Sequence, residues 1–280
     1  MNLLYCGDRN IADGVFLSVL SVLEYTEAPL HVYLLTASYE EKCVALGEDF
    51  SGRLRRHIEA VRPGSTVTLT DISEIFAAEP PTANQNTRFT PCCMLRLYAD
   101  LCPELPDRIL YLDNDVLCGG DPSALWSMDL EGFELAGVLD RYGSWFFRRR
   151  VFCRDYLNSG VLLLNLAEIR KTGLFARCRK RCAEKEMLLP DQSALNKLTT
   201  AKKRLDRRYN EQKRTSDTTV FRHFTTFFRF FPRFEAVSVK PWCRERMHGI
   251  LKDHAFDGIL DRYDAIKSNY EKETISYETK

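Results

Sequence analysis

Two hydrophobic patterns alternate along the chain: short continuous apolar runs, and longer stretches in which apolar residues recur every three or four positions. The run at residues 2–6 predicts a buried strand, and the spacing from Ile11 to Leu23 predicts a helix directly after it. The same alternation predicts strands at 31–35, 66–69, 108–112, 135–139 and 157–165, and helices at 39–58, 72–77, 94–101, 166–170, 174–187 and from 189 onward. It therefore predicts an α/β fold with a Rossmann-like, mainly parallel sheet flanked by helices, followed by an irregular C-terminal part.

The predicted loops after the strands carry polar side chains. In an open α/β sheet, ligands bind beyond the carboxyl ends of the strands, so these loops are the places to search for chemistry. Asp8 and Asn10 lie in the first loop, and Asp113 and Asp115 follow the strand at 108–112. The segment 78–91 contains three prolines and predicts a mobile connection that could act as a lid.

Composition limits the class of protein. The 280 residues are 45% hydrophobic and 28% charged, which excludes disordered, fibrous and disulfide-scaffold classes and predicts one domain or at most two. The net charge of +1 gives no general attraction to nucleic acid, so we expect no nucleic-acid partner. No apolar run approaches the ~20 residues that cross a bilayer, and we expect a cytoplasmic protein. The ten cysteines include no CxxC pair and are interpreted as small buried hydrophobic residues.

Asp113 and Asp115 form the sharpest chemical signal in the sequence. Alternate residues of an extended chain point to the same side, so both carboxylates can reach one cation. Carboxylate oxygens favour Mg²⁺ or Mn²⁺, which commonly bind through one or two carboxylates while a substrate diphosphate fills the remaining positions. A DxD pair alone is common on protein surfaces, but two like charges directly after an apolar strand are costly to bury without a compensating cation.

Several short motifs follow one another along nearly the whole chain. They are Cys6-Gly7-Asp8-Arg9-Asn10, Met94-Leu95-Arg96-Leu97, YLDNDVL at 111–117, YLNSGVLLLN at 156–165, PDQSALN at 190–196, His223-Phe224 and Lys240-Pro241-Trp242. Together and in this order they resemble glycosyltransferase family 8, which includes glycogenin and the bacterial lipopolysaccharide galactosyl- and glucosyltransferases. The resemblance implies a GT-A fold, a retaining reaction, a UDP-sugar donor and Mn²⁺ or Mg²⁺ as cofactor.

The resemblance also implies roles for individual residues. Asp8 and Asn10 would contact the uracil and ribose, with the backbone of Asn114 beside the ribose, and Arg96 would lie against the sugar and phosphate of the donor. The positions that match the family's sugar pocket are Asp140, Asn158, Ser159, Asp191 and Gln192, of which Asp191 and Gln192 are the catalytic candidates. Other interpretations stay open: Asp8 and Asn10 could only shape a turn, Arg96 could be a solvated charge, and Asp191 could be a helix cap.

His223 and Lys240 match a further family motif, H-x-x-G-x-x-K-P-W. The resemblance implies that His223 is the third metal ligand, beside Asp113 and Asp115, and that Lys240 binds the diphosphate. This chain departs from the motif, because 16 residues separate His223 from Lys240 and Thr226 stands at the glycine position. An enlarged loop must therefore leave and return between the histidine and the lysine.

The enlarged loop overlaps an aromatic stretch, residues 221–234, which holds seven phenylalanines and three arginines. This stretch could form a second small core, a platform for an acceptor sugar, or an interfacial anchor whose rings enter a lipid headgroup region. Residues 202–214 carry seven basic side chains against two acidic ones, which suits either a solvated surface or an anionic partner. Peripheral contact through 202–234 with the inner face of a membrane is therefore one interpretation.

These signals predict a metal-dependent retaining hexosyltransferase that moves glucose or galactose from a UDP-sugar to a hydroxyl of a glycan or glycolipid acceptor, as in lipopolysaccharide or capsule. The predicted catalytic domain spans residues 1–250, with a nucleotide-sugar half at 1–118 and an acceptor half at 119–250, followed by a helical tail at 251–280. Two alternatives stay open. One is a non-catalytic carbohydrate-binding protein on the same fold; the other is a nucleotidyltransferase, which usually carries a glycine-rich phosphate loop that this N-terminus lacks.

Overall fold

A central sheet with helices on both faces forms the body of the molecule. The computed structural model describes residues 1–87, 90–142, 155–229, 231, 233 and 235–278, with side chains described as far as residue 270. The strands are β1 (Asn2–Cys6), β2 (His31–Thr36), β3 (Thr66–Asp71), β4 (Arg108–Leu112), β5 (Val116–Cys118), β6 (Leu135–Leu139), β7 (Leu157–Asn165), β8 (Lys202–Arg204), β9 (Phe221–His223), β10 (Phe227–Arg229) and β11 (Glu235–Val237).

The helices of the described residues cover the two faces of this sheet. The α-helices are α1 (Ala12–Glu24), α2 (Glu48–Val61), α3 (Ser73–Ala78), α4 (Ser123–Trp126), α5 (Leu166–Thr172), α6 (Leu174–Glu184), α7 (Pro190–Leu198), α8 (Arg244–Arg246) and α9 (Asp257–Glu278). Tighter 3₁₀ helices span Arg9–Ile11, Thr82–Asn84, Pro91–Leu101 and Arg207–Asn210, and a π-helical segment spans Met247–Leu251.

The seven-stranded sheet has the order β3-β2-β1-β4-β7-β6-β8. All neighbouring strands are parallel except β7, which runs antiparallel to both β4 and β6. The predicted mainly parallel α/β sheet is therefore confirmed. Because β1 and β4 are parallel neighbours, their carboxyl ends meet at one edge, where the loops with Asp8 and Asp113 begin.

Both faces of the sheet are buried, which explains why its strands read as continuous apolar runs. In β1, Leu3 and Tyr5 belong to one hydrophobic cluster and Leu4 to the other, as the alternation of side chains along a strand requires. The nine described cysteines are free thiols and six of them are buried, while Cys153 lies outside the described residues. Cys178 and Cys182 pack into the second cluster, and burial raises the pKa of Cys182 to about 12.

Two predicted elements differ from the structure. The helix predicted at 39–58 begins only at Glu48, because apolar positions at Phe50, Leu54 and Ile58 repeat with helical spacing, whereas residues 39–47 form a turn closed between Tyr39 and Cys43. The segment 78–91, predicted to be mobile, is tied to α6 as far as it is described. The buried Asn84 side chain donates to the carbonyl oxygens of residues 182 and 185, at 2.6 and 2.7 Å; residues 88 and 89 lie outside the described residues.

The C-terminal helix α9 packs against α1. Phe256, Ile259, Leu260 and Tyr263 are buried in the same cluster as α1, and the Tyr263 hydroxyl donates to Asp13 at 2.5 Å. The division of the chain into two halves and a tail stays a prediction. Among the described helices, none combines the length and the apolar composition needed to span a bilayer.

Candidate metal and donor site

Asp113, Asp115 and His223 converge at the carboxyl edge of the sheet. The two acids lie in the turn between β4 and β5, closed by the Val116 N–H to the Asp113 carbonyl at 3.1 Å, rather than along an extended strand as the DxD pattern suggested. β9 pairs antiparallel with β5 and sets Val116 opposite His223. The His223 Nε2 atom therefore lies 3.2 Å from Asp115 Oδ1 and 3.6 Å from Asp113 Oδ2.

These three side chains fit one divalent cation. Two ligands that each bind an ion at about 2.1 Å lie about 3.0 Å apart at a right angle and at most about 4.2 Å apart. The separations of the His223 nitrogen from the two carboxylates, 3.2 and 3.6 Å, fall in that interval. Two carboxylates and one imidazole are also a donor set that suits Mn²⁺ and tolerates Mg²⁺.

Two asparagines, on the side of the His223 ring that faces away from the carboxylates, fix its orientation. Its Nδ1 atom lies 3.0 Å from Asn158 Oδ1 and 3.3 Å from Asn210 Oδ1, while the amide nitrogens of these two residues donate elsewhere. Both neighbours are acceptors, so Nδ1 carries a hydrogen, and Nε2 is the ring nitrogen that faces Asp113 and Asp115. These contacts leave Nε2 as the ring atom that could bind a metal ion together with the two carboxylates.

Gly160 gives His223 its place against β7. A Cβ atom at this glycine would lie 2.1 Å from His223 Cε1, so the imidazole occupies the space of a side chain. The Gly160 carbonyl also accepts the Asp113 N–H at 2.8 Å. The Asn158-Ser159-Gly160 motif thus combines an amide that orients the imidazole with a glycine that makes room for it.

Lys240 reaches the same group despite the enlarged loop. The extra residues form the hairpin β10–β11, and the chain returns so that Lys240 Nζ forms an ion pair with Asp115 Oδ2. Burial alone would raise the pKa of Asp115, but Lys240 and His223 outweigh it and hold that pKa well below its usual range. Burial likewise opposes the charge on Lys240, yet the neighbouring Asp115 raises its pKa above the ordinary value.

Arg96 links the acids of the site from the other side. It is only 5% exposed, so it is not the solvated charge that the sequence left open. Its guanidinium donates to Asp113 at 2.8 Å, pairs with Asp191 at 3.2 Å, and lies 4.0 Å above the Tyr111 ring. Burial raises the pKa of Asp191, and Arg96 opposes that effect. Asp191 lies in the first turn of α7 and also makes this ion pair, so it is more than the helix cap that the sequence left open.

A hydrogen-bond network joins the remaining sugar-pocket candidates. Gln192 Oε1 accepts from the Ser159 N–H at 3.0 Å and from the Ser159 hydroxyl at 3.2 Å. Asp140 Oδ2 accepts from Asn158 Nδ2 at 2.9 Å and from Gln192 Nε2 at 3.3 Å. The first turn of α7 is thereby fixed against β7, and these polar side chains share one wall beside Asp113.

Asp8 and Asn10 lie at the same edge but bond to each other. The Asp8 carboxylate accepts the Asn10 N–H at 3.0 Å and the Asn10 side-chain amide at 3.1 Å, and thereby caps the short helix that follows β1. The turn-forming interpretation is therefore part of what these residues do. On the adjoining helix α1, a Cβ at Gly14 would meet the Asn114 carbonyl at 2.3 Å and the Trp242 ring at 2.7 Å. The turn with Asn114 thus rests directly on α1.

The aromatic stretch 221–234 divides into two parts. Phe221 and Phe224 are buried, but in the main core rather than in the second small core that the packing interpretation predicted. Phe228 contacts Tyr142, with ring centroids 5.1 Å apart, whereas Phe231 is 85% exposed beside the hairpin. Residues 230, 232 and 234 lie outside the described residues.

Asn210 and Gly160 are the site residues that the sequence interpretation missed. Asn210 follows the basic residues 202–208 in a 3₁₀ helix, and its pattern carries no local signal that links it to His223. Gly160 belongs to the YLNSGVLLLN motif at 156–165, but only the folded structure shows that it contacts His223 on another strand. In both cases the contact joins residues far apart in the chain.

Comparison with known proteins gives consistent matches. The family model Glycosyl transferase family 8 matches residues 2–230. The chain is 26% identical over 247 residues to lipopolysaccharide 1,2-glucosyltransferase of Escherichia coli, which covers 78% of this chain and 69% of that protein. It is 33% identical over 92 residues to glycosyltransferase GlyF of Streptococcus pneumoniae serotype 4, which covers 32% of this chain and only 22% of that protein.

Solved structures share the fold. The structure of an active-site mutant of LgtC superposes with a TM-score of 0.69 at 19% identity and covers 96% of both chains. The glycosyltransferase GlyE of Streptococcus pneumoniae TIGR4 superposes with a TM-score of 0.64 at 17% identity, covering 98% of this chain and 64% of that one. At such low identity these likenesses establish the fold alone, which is of the GT-A type, as the motifs implied.

Proposed function

The chain belongs to glycosyl transferase family 8, and from this premise we propose that it transfers a hexose from a UDP-sugar to a hydroxyl of a glycan acceptor, with retention at the anomeric carbon. Membership in the family makes it a glycosyltransferase; the donor, the acceptor and the stereochemistry are the proposal. One observation carries it: Asp113, Asp115, His223 and Lys240 come from three separate segments and meet at the ligand-binding edge of the sheet.

We assign the binding of Mn²⁺ or Mg²⁺ to Asp113, Asp115 and His223. When bound, such an ion would neutralise the charge that grows on the departing UDP. The protein contributes a rigid setting, because Asn158, Asn210 and Gly160 hold the imidazole and Arg96 holds Asp113. This arrangement needs little reorganisation on binding, which favours both affinity and rate.

Lys240 would bind an oxygen of the donor diphosphate, since its ammonium group already lies at the carboxylates of the site. Asp8 and Asn10 would bind the uracil and ribose from the first loop, with the Asn114 backbone next to the ribose. These roles place the nucleotide along the carboxyl ends of β1 and β4, at the crevice that the topology provides.

The sugar would lie against the wall formed by Asp140, Asn158, Ser159 and Gln192. Such a wall can pair several hydroxyls in fixed geometry and reject an epimer that leaves buried polar groups unpaired. Gln192 carries an amide, which is a poor nucleophile, and the Asp191 carboxylate is engaged by Arg96. We therefore propose a same-face substitution with oxocarbenium character, in which Gln192 and Asp191 stabilise and position the sugar, rather than a covalent intermediate.

For the acceptor, we propose a lipid-linked glycan. Escherichia coli relatives are named lipopolysaccharide glucosyltransferases, which favours glucose as donor sugar. The hairpin β10–β11 presents the exposed Phe231 between Arg229 and Arg233, a combination that suits a lipid–water interface. Co-sedimentation with vesicles of phosphatidylglycerol should weaken in Arg229→Glu/Arg233→Glu; unchanged binding would rule out contact through this hairpin.

The experiment that tests the function is a panel of UDP-sugars scored for slow UDP release without acceptor. We expect release from UDP-glucose or UDP-galactose with Mn²⁺ or Mg²⁺, loss on addition of a chelator, and recovery when the ion is restored. Donor hydrolysis that persists in chelator would contradict the metal assignment. Binding of a UDP-sugar with no release under any ion would instead support a non-catalytic carbohydrate-binding protein.

A further inference from the structure

Besides the Asp113–Asp115–His223 group, two groups of described side chains bring three metal-ligating atoms within 4.8 Å of one another: Asp8 with Cys43 and Cys92, and His248 with His254 and Asp257. The first group is fully buried, and burial raises the pKa of the Cys92 thiol, which disfavours the thiolate that metals bind. The second group is partly exposed, and its imidazoles bind a metal in their neutral form, so no buried thiol has to ionise. It is therefore the stronger candidate for a second site.

The backbone brings His248 and His254 together. His248 lies in the π-helical segment Met247–Leu251, and Lys252 then takes a left-handed conformation with φ of 54°. The chain reverses direction at this residue and brings His254 back beside His248. The two imidazole rings stack with centroids 4.0 Å apart and planes tilted by 31°. Left-handed backbone at a residue other than glycine is uncommon and costs energy, and here it results in two imidazoles side by side.

Asp257 faces both rings from the first turn of α9. Its Oδ1 atom lies 2.7 Å from His248 Nε2 and its Oδ2 atom lies 3.2 Å from His254 Nδ1. The side chains of His248 and Asp257 are 31% and 35% exposed, and that of His254 is 61% exposed. The group is therefore open to solvent on one side while its two inner members are held by the fold.

The surrounding charge favours a cation. Asp257, Asp261 and Asp264 lie at helical spacing on one face of α9, and the guanidinium of Arg244 pairs with the last two, at 2.7 and 3.2 Å. Three carboxylates against one guanidinium leave negative charge at the start of the helix. Burial opposes ionisation of Asp257, but its interactions with His248 and His254 together outweigh burial and lower its pKa.

We propose that His248, His254 and Asp257 form a second metal site, specific for a borderline transition ion such as Zn²⁺ and distinct from the Asp113–Asp115–His223 group. Two imidazoles and one carboxylate are a common zinc donor set, with a water as the fourth ligand. Each neutral imidazole frees its inward nitrogen by carrying its proton on the other ring nitrogen. Ligands of tetrahedral Zn²⁺ lie about 3.3 Å apart, so small movements suffice.

The bound ion would join the segment that follows Lys240-Pro241-Trp242 to the first turn of α9. That helix packs on α1 through Tyr263 and Asp13, and α1 supports the turn with Asn114. The second metal site would therefore stabilise the C-terminal part of the fold and leave the donor chemistry to the Asp113–Asp115–His223 group. At a hundredfold excess of Zn²⁺ over Kd, we expect Tm to rise by about 5 °C.

The test is a Zn²⁺ titration against a chromophoric chelator, with Tm measured in parallel. All variants carry His223→Ala, which disables the Asp113–Asp115–His223 group. We expect one equivalent of Zn²⁺ to be lost, and the Tm rise with it, in His248→Gln/His254→Gln and in Asp257→Asn. The control His57→Gln changes a half-buried histidine outside both groups and should keep the full stoichiometry.

Unchanged stoichiometry and Tm shift in the histidine double variant would overturn the proposal. If that variant does not fold, Asp257→Asn decides, because its amide oxygen can still accept a hydrogen bond while the anionic ligand is lost. An unchanged Zn²⁺ affinity and an unchanged Tm rise in Asp257→Asn would then overturn the proposal, and an affinity at least tenfold weaker would support it.

Discussion

The two histidine–carboxylate groups of this chain are built in opposite ways. Asp113, Asp115 and His223 come from distant segments, are largely buried, and are each held by neighbours such as Arg96, Asn158 and Lys240. His248, His254 and Asp257 come from one short segment and are partly exposed. The first group has its geometry imposed by the whole fold, whereas the second owes its geometry to a local chain reversal.

This difference implies different sensitivities. A ligand group held by buried neighbours should fail when any neighbour changes, because the interior cannot relax without cost. A surface group should tolerate changes around it and respond mainly to the loss of its own ligands. The following experiments test this contrast, in order of decreasing expected effect.

Removal of one carboxylate from the buried group should have the largest effect. We expect Asp115→Ala or Asp113→Ala to lower metal-dependent UDP release by about 10³-fold, since each change removes a metal ligand and the carboxylate that pairs with Lys240 or Arg96. Steady-state release assays at saturating Mn²⁺ measure this. The control Asp129→Ala removes an exposed carboxylate that only caps a turn; activity that survives in Asp115→Ala at the level of this control would contradict the metal assignment.

A methyl group added behind the imidazole should have the next largest effect. Gly160→Ala places a Cβ 2.1 Å from His223 Cε1, so the ring must move, and a displacement of about 1 Å can cost about 10²-fold in rate. Gly258→Ala is the matched control beside the surface group, because no atom lies within 4 Å of its Cβ position. It should keep full activity and raise Tm slightly, as an alanine favours the helix. Equal kcat/KM in the two variants would refute the role of Gly160.

Loss of the acceptor behind His223 should weaken the affinity for the ion. Asn210→Ala removes one of the two amide oxygens that face Nδ1, and we expect Mn²⁺ binding to weaken by about 10-fold or more. Nitrogen NMR of the imidazole, which distinguishes the two tautomers, provides a readout independent of activity. Asn86→Ala, which alters an exposed asparagine, is the control. An unchanged tautomer and an unchanged Kd would show that Asn158 alone orients the ring.

The smallest effect is expected at the surface group. Arg244→Gln removes a partly exposed cation beside Asp257, Asp261 and Asp264, and surface ion pairs contribute about 1 kcal/mol or less to stability. Unfolding in urea should therefore shift little, while Zn²⁺ binding should strengthen by about two- to fivefold because less positive charge opposes the ion. Weaker Zn²⁺ binding in this variant would show that Arg244 supports the group by positioning it.

Much of the fold was predictable because its signals are local. The strands β1, β6 and β7 have the predicted bounds, since continuous apolar runs between turn residues specify strands buried on both faces. The helix predicted from residue 39 was wrong in its first part. The residues there are compatible with a helix but would give it no apolar face, and they form the turn between Tyr39 and Cys43 instead. The predicted bounds were therefore wrong where no buried apolar residues repeat with helical spacing.

For the candidate site, the types of chemistry were predictable and the contacts were not. The DxD pair, the histidine and the lysine were identified as residues, but the pattern could not tell whether Lys240 returns to the site across the 16 residues that separate it from His223. The hairpin β10–β11 absorbs the insertion and leaves the lysine at Asp115. Asn210 was missed entirely, because a side chain that orients another one has no signature in its own neighbourhood.

By itself, the sequence determined the alternation of strands and helices, the family, and the carboxylates at the end of β4, because hydrophobic periodicity and short motifs are properties of neighbouring residues. Only the tertiary structure decided which nitrogen of His223 faces those carboxylates, why Gly160 must lack a side chain, and how His248 and His254 come to share Asp257. These arrangements depend on distances between atoms of separate segments, or on a reversal of backbone direction, and such distances exist only once the chain has folded.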